Sequence, residues 1–114
     1  MSEEQQSTAQ KIEAMLKVMW KSSRPTIEER LETLRGARQR LAEGSLDRIA
    51  RKEAESAAHK LAGVLGTFGL PEGSASASKI EAVMAQEAGI DQKQERELDH
   101  LLRDLEAKIA TKDE

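Results

Sequence analysis

Apolar residues recur at intervals of three and four along most of this 114-residue chain, which is the period of one face of an α-helix. No segment alternates apolar and polar residues in the way that a half-buried strand does. Aromatic residues, which favour sheets, make up only 2% of the chain, whereas charged residues make up 34%. The pattern therefore predicts an all-α protein.

Turn and capping signals divide the chain into five predicted helices. Pro25 disfavours a helical conformation at Arg24, and Thr26 followed three residues later by Glu29 fits a capping box that begins a new helix. Similar signals separate the other segments. The predicted helices run from Ser7 to Ser22, from Thr26 to an end at Gly44, from an N-cap at Ser45 to a stop at Gly69 and Pro71, from Glu72 to Gln86, and from a cap at Asp91 through a stripe that ends at Ile109.

The short connections between the last four predicted helices favour antiparallel neighbours, so these helices predict an up-and-down four-helix bundle. The first helix is expected as an additional N-terminal helix packed over one end of that bundle. Its apolar stripe consists of Ile12, Met15, Leu16, Met19 and Trp20. The chain length suits one domain with one core, residues 1–114, of which 1–6 and 111–114 are polar and expected to fray.

Composition excludes several classes of function. The net charge of −3 leaves no overall basic surface for a nucleic-acid partner. The absence of cysteine excludes disulfides, thiolate catalysis and cysteine-based zinc sites, and fits a cytoplasmic protein. The longest uncharged stretch, Leu61 to Pro71, is far shorter than the ~20 residues of a membrane span, and Ser2-Glu3-Glu4 does not resemble a signal peptide. No membrane association, metal site or cofactor is expected.

One histidine stands apart on the third predicted helix. The expected core face of that helix consists of Leu46, Ile49, Ala50, Ala54, Ala57, Leu61, Val64, Leu65 and Phe68, and His59 lies opposite it. An exposed imidazole keeps one unprotonated ring nitrogen near neutral pH and is a competent nucleophile. His100, on the last helix, also lies opposite its leucine stripe and is interpreted as a solvated residue.

Gly63 and Gly66 follow His59 on the same exposed face, one and two turns further along the helix. A glycine inside a helix costs roughly 1 kcal/mol relative to alanine, so it needs a compensating use. One use is to let the backbone of another protein approach the imidazole closely. The alternative is that the glycines make close-packing contacts with the first helix or have no role.

Charged neighbours complete the candidate site. Glu55, one turn before His59, could hydrogen-bond the ring and select its tautomer, or could be a solvated carboxylate. Lys52 and Lys60 make the surroundings cationic, which suits a phosphoryl group or an acidic partner, although an ordinary charged surface explains them equally well.

The run from Ala57 to Leu70, continued by Ser74, Ala77 and Ile80-Glu81, resembles the histidine-containing phosphotransfer (HPt) family. The shared features are an Ala-His pair, a glycine four residues after the histidine, further small residues, a glycine that ends the helix, and the Ile-Glu of the next helix. The resemblance implies that His59 is the phosphoacceptor, which exchanges a phosphoryl group with the aspartate of a response-regulator receiver domain that itself supplies the metal ion and a lysine. Many relatives have lysine three residues after the histidine, where this chain has Ala62, so either Lys60 or Lys52 substitutes for it or the phosphohistidine is less stabilised.

Two other functions are compatible with the sequence. The chain could be a helical adaptor that docks a receiver or dimerises without phosphorylation, or a substrate domain of a larger hybrid histidine kinase. Under the phosphorelay hypothesis, the protein is a monomeric carrier of phosphate without its own ATP-dependent kinase activity. Its expected partners are a receiver domain, a hybrid sensor kinase or both.

Overall fold

A computed structural model of the protein describes residues 3–114, with side chains from Ser7 onwards, and the described residues form four α-helices. These are α1 (Glu3–Ala42), α2 (Arg48–Thr67), α3 (Pro71–Met84) and α4 (Gln92–Asp113). Each helix packs against the two that neighbour it in a closed ring, α1 on α2, α2 on α3, α3 on α4 and α4 on α1. The prediction of an all-helical bundle is confirmed.

The core lies between the four helices, where apolar residues spaced by three and four along each helix meet. Its largest fully buried side chains are Ile27, Leu31, Leu34, Leu61, Leu65, Ile80, Met84, Leu98, Leu102, Leu105 and Ile109. The expectation that Ile49 belongs to this core is wrong, because its side chain is 73% exposed. Ile49 lies in the first turn of α2, where the helix presents it to solvent rather than to α1 or α3.

Most helix ends follow the signals in the sequence. Gly44 and Gly69 both have a φ of 73°, and the hydrogen bonds around each form a Schellman motif that ends α1 and α2. Asp91 and Gln94 form a reciprocal capping box at the start of α4. The N-cap of α2 is Asp47, which accepts a 2.8 Å bond from the Ala50 amide, and not Ser45 as expected. Ser45 is instead used by the Schellman motif of α1.

The largest difference from expectation lies in α1, which continues through Pro25, so the separate N-terminal helix does not exist. Tertiary contacts on both sides of Pro25 oppose a break. Ahead of it, Trp20 is buried against Phe68 at a ring-centroid distance of 5.2 Å, and its Nε1 donates to Asp113 Oδ1 at 2.7 Å. After it, Ile27 is fully buried. These contacts stabilise a continuous helix through Pro25 and offset the loss of the hydrogen bond that proline cannot make.

Helical structure extends close to both ends of the described chain. Helix α4 continues to Asp113, whose carboxylate accepts hydrogen bonds from Arg24 and Trp20. At the N-terminus, residues 3–6 continue α1, and residues 1–2 lie outside the described part of the chain. Within the described residues, no helix is long and apolar enough to cross a membrane.

The first half of α1 projects beyond the bundle. The described molecule measures 58 × 22 × 22 Å, and a 40-residue helix is about 60 Å long, so α1 spans the entire long dimension. Of the predicted N-terminal stripe only Trp20 is buried, and the others are 40–59% exposed: Ile12, Met15, Leu16 and Met19. We call the part of α1 before Trp20 the overhang.

Candidate functional site

His59 occupies the outer face of α2, and 74% of its side chain is exposed. Its sequence neighbours Ala58 and Leu61 are fully buried, so the helix turns the imidazole away from the core as the sequence predicts. His100 is exposed on α4, also as expected. Of these two histidines, His59 has a carboxylate partner in the structure.

The partner of His59 comes from the next helix. Its Nδ1 lies 3.0 Å from Oε2 and 3.3 Å from Oε1 of Glu81 on α3. Because an ionised carboxylate only accepts hydrogen bonds, this contact places the imidazole proton on Nδ1. The lone pair then resides on Nε2, the nitrogen that is free to react.

Two hydrogen bonds fasten α3 to α2 on either side of Glu81. Ser74 Oγ donates to the carbonyl of Ala62 at 2.7 Å, and the buried Arg51 donates from Nη1 to the carbonyl of Met84 at 2.6 Å. The second bond also satisfies one of the free carbonyls at the end of α3. These contacts set the position of Glu81 relative to His59.

Glu55, which the sequence offered as a partner of the ring, is engaged elsewhere. Its Oε2 lies 3.5 Å from Nζ of Lys52, an i, i+3 pair on α2. Lys60 lines the groove between α1 and α2 together with Thr26 and Glu29, whereas Glu81 approaches His59 from α3. In this arrangement, one expected lysine is paired with a carboxylate and the other borders α1.

The two glycines of the His59 face have no packing role that would require them. A Cβ atom built at Gly63 meets no other described part of the chain within 4 Å, and one built at Gly66 meets only Ser74 Oγ, at 3.6 Å. Neither added Cβ would meet a residue of α1, so the contacts do not support close packing of these glycines against the first predicted helix. Both glycines are exposed, so they leave the surface beside His59 low and open.

The sequence by itself does not indicate how the site is held together. It presents Glu81 only as the second residue of the Ile-Glu motif, and no pattern in it indicates a contact of Arg51 or of the Ser74 hydroxyl with the other helix. The helical period places Glu81 beside the buried Ile80, but which turn of α3 lies level with His59 depends on the loop at Gly69 and on the packing of the two helices. No group of three potential metal ligands occurs among the residues that the structure describes.

Comparison with known proteins gives a match to one protein family. The family model of the Hpt domain matches residues 18–110, which is nearly the whole chain. Neither the curated proteins nor the solved structures contain a significant match. Hpt domains perform histidine phosphotransfer in two-component phosphorelays, act as phosphocarriers rather than kinases, and interact with response-regulator receiver domains and kinases. With four packed helices and a match of this extent, the chain belongs to the Hpt domain family.

Proposed function

We propose that the protein carries a phosphoryl group on Nε2 of His59 and exchanges it with the aspartate of a receiver domain. The observation that carries this proposal is the contact between Nδ1 of His59 and Glu81. It combines an exposed ring with a fixed tautomer, so that the reactive nitrogen faces solvent and the protonated one faces the protein.

The transfer step follows from this arrangement. The lone pair on Nε2 attacks the phosphorus of a phosphoaspartate in line with the bond to the leaving carboxylate oxygen. The N–P bond forms as the O–P bond breaks, and the aspartate leaves as a free carboxylate. The ring gains positive charge during attack, and Glu81 stabilises it through the proton on Nδ1. The reverse step loads an aspartate.

The open surface beside His59 supports docking of a second protein. In-line transfer requires the receiver's aspartate to approach Nε2 closely, and positioning supplies much of the rate in such reactions. Gly63 and Gly66 lack side chains on that approach, and the structure gives neither of them an internal packing task that needs glycine. We assign Gly63, Gly66 and the flanking Ala62 to the contact surface of the receiver. We also assign Lys60, in the groove beside α1, and Lys52, paired with Glu55, to supporting the phosphoryl group or an acidic partner with positive charge.

The decisive experiment compares His59→Gln with His100→Gln. Receiver domains encoded in the same genome are phosphorylated with acetyl phosphate and mixed with each variant, and acid-labile, alkali-stable phosphate on the protein is then measured. We expect His59→Gln to accept no phosphate and His100→Gln to accept as much as wild type. Helicity and melting temperature of both variants should match wild type, because both side chains are exposed.

Two results would contradict the proposal. If His59→Gln still acquired phosphate, the acceptor would be another residue. If wild type bound the receivers without acquiring phosphate, the protein would be an adaptor and not a carrier.

A further inference from the structure

The overhang exposes a concentrated apolar surface. Ile12, Met15, Leu16 and Met19 form one stripe that continues the core-facing side of α1 past the end of the bundle. Inside the bundle this side of α1 is covered by α2 and α4, but beyond Trp20 no described part of the chain covers it. The Hpt match begins at residue 18, so most of the stripe lies outside the region shared with the family.

We propose that a second copy of this chain covers the stripe, so that two overhangs pack against each other in an antiparallel, two-fold symmetric pair. This inference concerns assembly and does not rest on the role of His59. It replaces the expectation of a monomer.

The order of residues in the stripe is self-complementary about a point between Met15 and Leu16. With a two-fold axis at that point, Met15 meets Leu16 of the second copy and Ile12 meets Met19, so each of the four apolar residues faces an apolar partner. A two-fold interface requires this property, because each contact occurs twice with the roles exchanged. Two-fold dimers are also the commonest oligomers of soluble proteins.

Charge supports the same arrangement. Glu13 and Lys17 lie on one flank of the stripe, one turn apart. In an antiparallel pair this flank of one copy faces the same flank of the other copy. The proposed axis places Glu13 of each copy opposite position 18 of the other, which is next to Lys17. The two copies therefore form two reciprocal pairs of opposite charge.

The side chains of the stripe also form the ridges and grooves that two packed helices require. Ile12, Leu16 and Trp20 follow one row of residues spaced by four, and Met15 and Met19 form the next row. Rows of this spacing interlock with the same rows on a second helix at a crossing angle of about −50°. His59 lies on the outer face of α2 and is not one of the residues of the proposed contact.

A crosslinking experiment tests the pairing directly, since the natural chain has no cysteine. Full-length Ile12→Cys and Met19→Cys variants, one carrying a purification tag, are mixed in equal amounts and oxidised. We expect the mixed disulfide to exceed either homodimer at least tenfold. In the proposed pair two copies of position 12 are offset by seven residues, about 10.5 Å along the axis, which is too far for a disulfide. Predominant homodimers, or a statistical 1:2:1 mixture, would overturn the proposal.

Sedimentation of the cysteine-free protein provides the second measurement. With so few side chains in contact, we expect a weak dimer with a dissociation constant of about 100 μM, seen as a sedimentation coefficient that rises with concentration. Met15→Asp should remain monomeric throughout. Val18→Asp is the matched control, because Val18 is 64% exposed on the side of the overhang away from the stripe, and it should dimerise like wild type. Equal monomeric behaviour of wild type and both variants up to millimolar concentration would contradict the proposal.

Discussion

At the scale of single residues, the site depends on the pairing of one exposed ring with one carboxylate. In the proposed transfer the imidazole of His59 must be exposed to meet the receiver, yet an exposed side chain is free to rotate and to change tautomer. Glu81 restricts both, through a contact of 3.0 Å to Nδ1. The carboxylate is itself only 31% exposed and stands on a helix that Ser74 and Arg51 fasten to α2.

We expect Glu81→Ala to slow phosphoryl transfer about tenfold, corresponding to the loss of about 1.4 kcal/mol of stabilisation in the transition state. Glu81→Gln should retain more activity, because an amide oxygen still accepts from Nδ1 but does not carry the charge. Single-turnover transfer from a phosphorylated receiver gives the rates, and ¹⁵N chemical shifts of the imidazole give the tautomer. Unaltered tautomer and rate in Glu81→Ala would show that the contact has no role in transfer.

At the scale of secondary structure elements, α2 has residues of low helix propensity on the face that carries His59. Gly63 lies within the helix, has no positive φ and faces open space, so nothing in the described structure prevents a larger side chain. Glycine is about 1 kcal/mol less favourable than alanine at such a position. A role in docking is the explanation that the open surface supports.

Gly63→Leu should therefore raise the free energy of unfolding by about 0.5–1 kcal/mol and still impair transfer. Gly36→Leu is a matched control, because Gly36 also lies inside a helix with no described neighbour within 4 Å, but on α1. The control should gain similar stability and keep full transfer activity. Chemical denaturation and single-turnover kinetics measure the two effects, and equal transfer by both variants would show that Gly63 is not part of the docking surface.

Helix α1 presents the opposite case, in which tertiary contacts preserve a helix that local sequence signals would end. Proline in a helix interior costs about 3 kcal/mol, because it lacks the N–H and its ring crowds the preceding turn. Burial of Trp20 and Ile27 on the two sides of Pro25, with the bonds of Arg24 and Trp20 to Asp113, offsets that cost.

Pro25→Ala is expected to raise the free energy of unfolding by about 1–3 kcal/mol, since it restores an intrahelical bond in a helix that is already continuous. Pro71→Ala is the control: this proline is in the first turn of α3, where its missing N–H has no helical acceptor, so its replacement should give no gain. Thermal or urea unfolding provides the comparison. A loss of stability in Pro25→Ala would indicate that the chain breaks at this point.

At the scale of the whole molecule, ion pairs form within α1 and between α1 and α4. Arg35 contacts Glu28, Glu32 and Glu106, while Arg24 bridges Glu28 and Asp113. Hydrogen bonds from Arg35 and then Arg24 lower the pKa of Glu28 below its usual value of 4.5, more than its slight burial raises it. Since these side chains are partly exposed, solvent screens each pair.

This lowered pKa has a consequence for acid stability. The folded state favours the ionised form of Glu28, so the ionised carboxylate stabilises the fold. This stabilisation is fully present above the unfolded-state pKa near 4.5 and is lost as the pH falls through the lower pKa of the folded state. We expect the free energy of unfolding to decline below about pH 4.5, and Glu28→Gln to make that decline shallower while lowering stability at pH 7. Urea unfolding of wild type and Glu28→Gln between pH 3 and 7 measures both effects. An identical decline of stability below pH 4.5 in the two proteins would contradict a stabilising role of ionised Glu28.

The features that the sequence determined by itself are those set by local chemistry and helical period. These include the helical class, the burial of the leucine stripe of α4, the Schellman glycines, the cap at Asp91 and the outward position of His59. Each depends on a residue's own conformational preference or on its angle around one helix axis, and both can be read from the order of residues along the chain.

Tertiary structure decided what depends on the relative placement of helices. Whether Pro25 ends a helix was settled by contacts of the buried Trp20 with Phe68 and Asp113, which are distant in sequence. The apolar stripe before Trp20 has the period of a core face, but periodicity does not indicate whether anything covers it. The choice of Glu81 over Glu55 as the partner of His59 arises in the same way, because an i, i+4 spacing only permits a contact, whereas the packing of α3 on α2 makes one.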